Sequence, residues 1–215
     1  ANLINNLAVK NLAYLSKKEN IKLVHISTDY VFDGDNNKPY KETDNVNPQS
    51  IYGQTKLDGE LALISVNPKN SIIIRTSWLY SAFGNNFVKV MLQLGKEKRQ
   101  VDVVFDQLGS PTYARDLAKV ILDVLPKIKN EKVELFHYSN EGFCSWYDFS
   151  KAIFAQKNFS IHINPVKSSY FPTIVSRPFY SVLDSTRIKN QYKIQIPNWK
   201  NSLVEFLLKF DKHKI

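Results

Sequence analysis

The stretch Ile21-Lys22-Leu23-Val24-His25-Ile26-Ser27 is rich in β-branched residues and predicts a strand buried on both faces of a sheet. Apolar residues at helical spacing precede it in residues 2–18, and a second helical pattern runs from Pro48 to about residue 66. Residues 71–76, Ser-Ile-Ile-Ile-Arg-Thr, form the next buried-strand pattern, and residues 86–99 form another amphipathic helix pattern. Helices that alternate with buried strands in this way predict an α/β fold with a parallel sheet.

The second half of the chain has a less regular pattern. Short strands are predicted at 101–105 and 135–139, and helices at 115–129, 145–156 and 203–210. Residues 161–196 contain three prolines, many aromatic residues and no clear period, so no element is predicted there. No repeat or flexible linker separates the two halves, so we expect any second lobe to be interwoven with the first.

The bulk composition excludes several classes of protein. The hydrophobic fraction of 43% is ordinary for a globular protein, and no apolar run approaches the roughly 20 residues of a membrane helix. The net charge of +9 comes from scattered lysines without a zinc-finger or RNA-binding signature, so no nucleic-acid partner is predicted. The four histidines lack the spacing of metal ligands. A single cysteine, Cys144, gives no internal disulfide and favours the cytoplasm.

Tyr52 and Lys56 are the residues that suggest chemistry. Their i, i+4 spacing on a predicted helix puts both side chains on one face. A free phenol has a pKa of about 10, and a neighbouring ammonium group lowers it by favouring the phenolate. The pair is therefore a candidate acid–base unit for reducing a carbonyl, although a tyrosine packed over a lysine stem has the same spacing.

Hydroxyl groups follow the first predicted strand at Ser27 and Thr28. The carboxyl ends of parallel strands are where ligands bind in open α/β sheets, and a hydroxyl there can donate to a substrate carbonyl. The alternative is a strand end that is merely capped by Ser and Thr. A strand-end hydroxyl followed by Tyr52 and then Lys56 is a more specific pattern than either feature alone.

Several segments in order resemble the dTDP-4-dehydrorhamnose reductases, a family of extended short-chain dehydrogenase/reductases. The resemblance rests on Ser-Thr-Asp-Tyr-Val-Phe-Asp-Gly at 27–34, Tyr-Gly-Gln-Thr-Lys-Leu-Asp-Gly-Glu at 52–60, Arg-Thr-Ser-Trp-Leu-Tyr at 75–80, Gly-Asn-Asn-Phe at 84–87, Asp-Gln-Leu-Gly-Ser-Pro-Thr at 106–112 and Arg177-Pro178. It implies the C-terminal portion of a Rossmann-like doubly wound parallel sheet with an interwoven, smaller substrate-binding lobe. The expected division is 1–100 with 113–140 for the nucleotide-binding part, and 141–215 with 101–112 for the lobe.

The resemblance also implies roles for individual residues. Thr28 would orient the sugar keto group, Tyr52 would donate the proton, and Lys56 would lower the pKa of Tyr52 and hydrogen-bond the nicotinamide ribose. Ser27 is expected to contact the cofactor, which is NADPH or NADH. Asp29 and Trp78 are expected in the sugar pocket, although Trp78 also suits a core position at a strand end.

Four further residues are similar to family residues that hold the nucleotide diphosphate and base: Asn86, Gln107, Thr112 and Arg177. A planar guanidinium suits a diphosphate, but Arg177 also suits a structural ion pair. The family follows Arg-Pro with one residue and then Asn-Ser, whereas this chain has Phe179-Tyr180-Ser181, so contacts of that loop are not carried over. The resemblance further implies a possible homodimer and a divalent cation such as Mg²⁺, for which no ligands are assigned.

The glycine-rich turn that receives the cofactor's pyrophosphate in this family has no counterpart among the 215 residues. The seven glycines contain no pair spaced as G-x-G or G-x-x-G. We therefore expect a truncated chain rather than a natural short form that binds a sugar nucleotide without reducing it. Such a chain is expected to be a poor reductase, because it has the proton donor but not the phosphate-binding turn.

The expected reaction is reduction of the 4-keto group of a dTDP-4-dehydro-6-deoxyhexose, dTDP-4-dehydrorhamnose to dTDP-L-rhamnose, by NAD(P)H. Two alternatives stay open at this point. One is a non-catalytic regulatory subunit, a role that proteins resembling this reductase serve for methionine adenosyltransferase. The other is a reductase of another keto-sugar nucleotide, since likeness of fold does not choose among substrates.

Overall fold

The structure is a computed structural model that describes residues 1–171 and 177–212. A π-helical segment, Leu3–Leu7, leads directly into the first α-helix. The helices are α1 Ala8–Glu19, α2 Ile51–Val66, α3 Phe87–Glu97, α4 Ala114–Val124, α5 Trp146–Gln156, α6 Thr186–Tyr192 and α7 Trp199–Lys212. The strands are β1 Leu23–Thr28, β2 Ser71–Thr76, β3 Leu79–Tyr80, β4 Gln100–Val104, β5 Leu108–Gly109, β6 Thr112–Tyr113, β7 Glu134–His137, β8 Cys144–Ser145 and β9 His162–Val166.

The main sheet has three strands in the order β1-β2-β7, and both pairings are parallel. The register pairs Leu23 with Ser71 and Thr28 with Thr76, so β1 and β2 end at the same level. This confirms the α/β fold with a parallel sheet that the alternation of helices and strands predicts.

Helices cover both faces of the main sheet, as in a doubly wound fold. One face packs against α1 and α2 through Val9, Ala13, Leu63, Val66 and Ile73. The opposite face packs against α4 and α6 through Ile72, Ile74, Leu117, Val120, Val124, Phe136, Ile188 and Tyr192. β2 is buried at all six positions because it has a helix layer on each side, which is why its three central residues are all isoleucine.

Helix α2 begins at Ile51 and not at Pro48, where the sequence pattern places its start. Ser50 has extended backbone angles, and its side chain accepts a hydrogen bond from Gly53 N at 2.9 Å. This N-cap satisfies one of the free donors of the first turn and sets the helix start. Tyr52 therefore lies in the first turn of α2, close to the loop that follows β1.

The segment 161–196, for which the sequence predicts no element, contains β9 and α6. β9 pairs with β4 in parallel as a two-stranded ribbon, where Pro165 is tolerated because it need not donate to a second neighbour. α6 instead packs on the main sheet through Ile188 and Tyr192. The expected division at residues 101–112 and 141–215 stays a prediction.

A second core lies outside the main sheet and joins α3, α5 and α7. Its buried members include Val88, Leu92, Phe149, Ile153 and Phe206. Within the described part of the chain, no helix combines the length and the apolar character needed to cross a membrane.

Candidate active site

Thr28, Tyr52 and Lys56 line one cavity of about 300 Å³ at the carboxyl ends of β1 and β2. Thr28 is the last residue of β1, and Tyr52 and Lys56 lie one turn apart on the same side of α2. Ser27, Asp29 and Trp78 line the same cavity. The structure thus brings together the residues that the sequence assigns to catalysis, to the cofactor and to the sugar.

Gly53 allows α2 to approach the loop after β1. A Cβ atom at this position would lie 2.2 Å from the Tyr30 carbonyl oxygen, which is far inside contact distance. The ring of Tyr30 also meets the ring of Tyr52 edge to face, with centroids 5.7 Å apart. A side chain at Gly53 would therefore push the Tyr52 turn away from Thr28.

The environment of Tyr52 differs from the prediction made from its spacing to Lys56. Burial raises the pKa of Tyr52 above its ordinary value, a hydrogen bond with Thr28 lowers it, and the charge of Asp29 raises it. The net direction is upward, the opposite of the lowering that an adjacent ammonium group predicts. The phenol therefore stays protonated at neutral pH, which suits a proton donor.

Lys56 donates a hydrogen bond from Nζ to the Ile26 carbonyl oxygen at 2.5 Å, which fixes the ammonium group beside the end of β1. Burial lowers the pKa of Lys56, and the nearby Glu60 carboxylate raises it. Glu60 itself is buried and binds Arg75 through two hydrogen bonds. Carboxylate and lysine are one helical turn apart, so α2 provides a counter-charge for the lysine.

Trp78 forms the wall on the other side of the cavity. Its ring stacks on Trp146, with centroids 3.4 Å apart and planes within 4° of parallel. Gly109 lies against it, since a Cβ there would come within 2.4 Å of the indole. Trp78 has a φ of 47°, which is strained for a residue with a side chain, and the stack and the hydrogen bond from Thr112 N to its carbonyl oxygen hold it there.

Sequence reasoning missed Trp146. It reaches Trp78 because β5 and β8 pair antiparallel, which places Cys144 opposite Gly109 and the start of α5 beside the cavity. An aromatic residue after a serine N-cap carries no signal of such a long-range contact.

A larger cavity, of about 750 Å³, lies on the other side of the tryptophan pair. Gln107 and Arg177 both line it, together with Trp146 and Phe87. The positive charge of Arg177 lowers the pKa of Tyr30, a residue of the smaller cavity, although burial makes the net direction upward. Arg177 therefore lies close to both cavities, and two of the four residues predicted for the nucleotide meet in one place.

Asn86 and Thr112 are outside the linings of both cavities, as far as the described residues define them. Asn86 caps α3: its side chain accepts from Lys89 N and donates to the Ser81 carbonyl oxygen at 2.7 Å. Thr112 is fully buried, with its hydroxyl 3.3 Å from that of Thr76. Both side chains support the walls of the site, and their contact with a nucleotide stays a prediction.

Asp29 and Ser27 are buried polar residues at the edge of the smaller cavity. Asp29 is 4% exposed, and burial raises the pKa of its carboxyl to about 7. The Ser27 hydroxyl is buried and has no hydrogen-bond partner among the described residues. Buried polar atoms normally have partners, so an unpaired hydroxyl in a residue that lines a cavity points to a hydrogen-bond partner still to be supplied.

No group of three or more His, Cys, Asp or Glu side chains within residues 1–171 and 177–212 is arranged to hold a metal ion. Cys144 is a free, buried thiol, and burial raises its pKa, so it is not a reactive thiolate at neutral pH.

A family model described as the RmlD substrate binding domain matches residues 1–212. The chain belongs to the RmlD family. A dTDP-4-dehydrorhamnose reductase of Aggregatibacter actinomycetemcomitans is 41% identical over 210 residues, covering 93% of this chain and 71% of that protein.

Solved structures of RmlD relatives have the same fold. The dTDP-4-dehydrorhamnose reductase of Clostridium acetobutylicum is 42% identical, with a TM-score of 0.90, covering 96% of this chain and 72% of that one. The enzyme of Bacillus anthracis, solved in complex with NADP, is 39% identical, with a TM-score of 0.91, covering 97% of this chain and 73% of that one. These likenesses confirm the resemblance found in the motifs and the Rossmann-like class of this RmlD chain.

Proposed function

We propose that this chain carries the proton-donating and sugar-nucleotide-binding parts of a reductase that converts dTDP-4-dehydrorhamnose to dTDP-L-rhamnose with NADPH or NADH. The observation that carries the proposal is the cavity in which Thr28, Tyr52 and Lys56 meet beside Trp78. Relatives named dTDP-4-dehydrorhamnose reductase support the choice of substrate.

Each residue of the cavity has a separate role in carbonyl reduction. Thr28 donates a hydrogen bond to the keto oxygen and orients it towards Tyr52. Tyr52 gives its phenolic proton to that oxygen, and the upward shift of its pKa keeps the proton available at neutral pH. Trp78 provides a flat apolar surface for the sugar ring, and Asp29 contacts its hydroxyls.

The residues present fit a nicotinamide cofactor at the open edge of the same cavity. Ser27 offers a buried hydroxyl that has no partner among the described residues, and the Lys56 ammonium group has N–H donors beyond the one bound to Ile26. Ser27, Tyr52 and Lys56 would hold the cofactor's ribose and ring. When bound, the reduced nicotinamide supplies the hydride for the carbonyl carbon.

The larger cavity would take the nucleotide diphosphate and base. Arg177 suits the diphosphate because a guanidinium binds phosphate oxygens through two parallel hydrogen bonds. Gln107 offers both a donor and an acceptor for a base edge. The family resemblance adds three inferences to the proposal: nucleotide contacts from Asn86 and Thr112, a homodimer, and a divalent cation such as Mg²⁺ at the dimer interface. The single cysteine adds a cytoplasmic location.

The test is to replace Tyr52 by phenylalanine and to follow both turnover and ligand binding. Loss of a general acid is expected to slow NAD(P)H-dependent reduction by roughly 10²- to 10⁴-fold, while calorimetry shows unchanged binding of dTDP. Tyr14→Phe is the matched control, because Tyr14 is an exposed tyrosine of α1. Turnover that survives Tyr52→Phe would exclude Tyr52 as the proton donor, and a protein that binds dTDP but shows no turnover without any substitution would point to a non-catalytic subunit. Turnover confined to another keto-sugar nucleotide would correct the substrate.

A further inference from the structure

The stack of Trp78 on Trp146 joins the two cavities of the site. Trp78 lines the cavity of about 300 Å³, and Trp146 lines the cavity of about 750 Å³. Neither tryptophan belongs to the lining of the other cavity, so far as residues 1–171 and 177–212 define the two linings. The centroids of the two rings are 3.4 Å apart, and their planes are within 4° of parallel. A ligand in one cavity can therefore contact one ring of a pair whose second ring lines the other cavity.

The Trp78 indole needs support from other parts of the chain. Its φ of 47° lies in the left-handed region, which costs free energy for a residue with a Cβ atom. Gly109 packs so closely against the indole that a Cβ atom there would come within 2.4 Å of it. Among the rings of the described residues, Trp146 is the one that contacts Trp78. Removing the Trp146 ring would therefore take away a main support of the indole.

Trp146 has a fixed position of its own. It is the first residue of α5 and follows the Ser145 N-cap, where Ser145 and Asp148 form a capping box. Its ring contacts Phe87, with centroids 4.4 Å apart, and Phe87 also lines the larger cavity. Trp146 and Phe87 therefore form adjoining parts of the wall of the larger cavity, and the first of them also supports Trp78.

Core packing is the alternative role for the stack, because both tryptophans pack against the core around α3, α5 and α7. The burial of the pair argues against packing alone. Trp78 and Trp146 are only partly buried, whereas Trp199 of the same core is 4% exposed. Each ring of the pair thus keeps free surface, and each lines a different cavity.

We infer that Trp146 is a positioning residue for the sugar, which acts through Trp78 without touching the sugar itself. It holds the Trp78 indole in place as the wall of the smaller cavity, and a nucleotide bound against Trp146 in the larger cavity strengthens that hold. The inference rests on the proposed function, in which the two halves of a sugar nucleotide occupy the two cavities. Its consequence is that the nucleotide half of the ligand improves the fit of the sugar half.

The first test compares dTDP with dTDP-L-rhamnose by calorimetry on the 215-residue chain. The ratio of their dissociation constants measures what the sugar adds to binding. In Trp146→Leu this ratio should fall roughly 2- to 12-fold, the loss expected for one aromatic pair, beyond any loss of nucleotide contact that both ligands share. Trp146→Phe keeps a ring and should recover most of the ratio. Phe143→Leu is the control, because Phe143 is exposed and lies outside both linings as the structure describes them.

A double-mutant cycle measures whether Trp146 acts through Trp78. Trp78→Leu removes the wall itself and should lower the ratio, and adding Trp146→Leu to that variant should lower it no further. Additive losses in the double variant overturn the inference. An equal fall in the affinities for dTDP and dTDP-L-rhamnose in Trp146→Leu also overturns it, because Trp146 then acts on the nucleotide alone.

The second test uses ¹⁹F NMR and needs no sugar. With 5-fluorotryptophan the chain gives three signals, from Trp78, Trp146 and Trp199. Addition of dTDP should shift the signals of both Trp146 and Trp78, and the shift of Trp78 should vanish in Trp146→Leu but persist in Trp146→Phe. The wild-type spectrum decides the inference even if Trp146→Leu does not fold.

The same spectrum separates this inference from the proposed function. A Trp146 signal that shifts while the Trp78 signal stays unchanged overturns the inference and leaves the proposed function standing. If dTDP shifts no signal and calorimetry detects no binding, the proposed function is overturned and the inference falls with it.

Discussion

Replacing Glu60 by glutamine should lower the free energy of unfolding more than the loss of an exposed charge does, because the partner of Glu60 is buried. Arg75 of β2 donates to both carboxylate oxygens, from Nε to Oε1 at 2.9 Å and from Nη2 to Oε2 at 2.6 Å. The two side chains are 4% and 1% exposed. This ion pair ties α2, which carries Tyr52 and Lys56, to the central strand of the main sheet.

The expected loss of stability follows from what the substitution leaves behind. A guanidinium group cannot give up its proton, so Glu60→Gln strands a buried cation. Breaking a buried pair in this way costs about 3–5 kcal/mol, which corresponds to a fall in Tm of roughly 6–20 °C for a chain of this size. The Phe32 ring lies 5.1 Å from the guanidinium carbon, and such a cation–π contact offsets only about 1–2 kcal/mol.

Urea denaturation followed by circular dichroism measures the difference directly. Glu131→Gln is the control, because its pair with Lys69 has side chains 80% and 61% exposed and contributes at most about 1 kcal/mol. The double variant Arg75→Met, Glu60→Leu removes both charges and should recover most of the loss. If Glu60→Gln and Glu131→Gln differ by less than about 1 kcal/mol, the buried pair does not hold α2 to the sheet.

Three further predictions concern the walls of the site and the response to acid. Asn86→Ala should lower the free energy of unfolding by about 1 kcal/mol in urea, and Asn86→Ser, which keeps a cap acceptor, should recover most of it. Trp146→Ala removes the ring that supports Trp78 and should weaken dTDP binding roughly 2- to 12-fold by calorimetry, whereas Trp146→Phe should weaken it less. Burial holds the pKa of His137 at about 3, against 6.5 when exposed, so the unfolded chain binds a proton that the folded chain does not. The free energy of unfolding should therefore fall as pH drops from 6.5 towards 3, and the urea midpoint of His137→Gln should depend less on pH across that window.

Elements with strong local patterns were predictable from the sequence. The strand Ser71–Thr76 has the predicted ends, because three consecutive isoleucines with both faces buried strongly favour a central strand. The strand His162–Val166 was missed, since it contains Pro165 and is defined by pairing with residues 100–104. Pairing between segments so far apart in sequence leaves no hydrophobic periodicity in either segment from which the strand could be predicted.

In the site, too, locally encoded features were predictable and features set by distant contacts were not. The placement of Thr28, Tyr52 and Lys56 in one cavity was predictable, because Thr28 ends a strong strand and the other two share a helix face. The acidity of Tyr52 was not, since it depends on burial and on Asp29, which only the folded chain brings together. The capping role of Asn86 at the start of α3 was not predicted, and its contact with a nucleotide stays a prediction.

The tryptophan stack gives this protein an optical signal of its own. Two of the three tryptophans in the chain are the stacked pair, and each of them lines one of the two cavities. Trp199 is buried in the core around α7 and serves as a constant background. If a nucleotide enters one cavity and a sugar the other, as proposed, both would alter the emission of the same pair of rings, and stopped-flow fluorescence would then time ligand entry without a label.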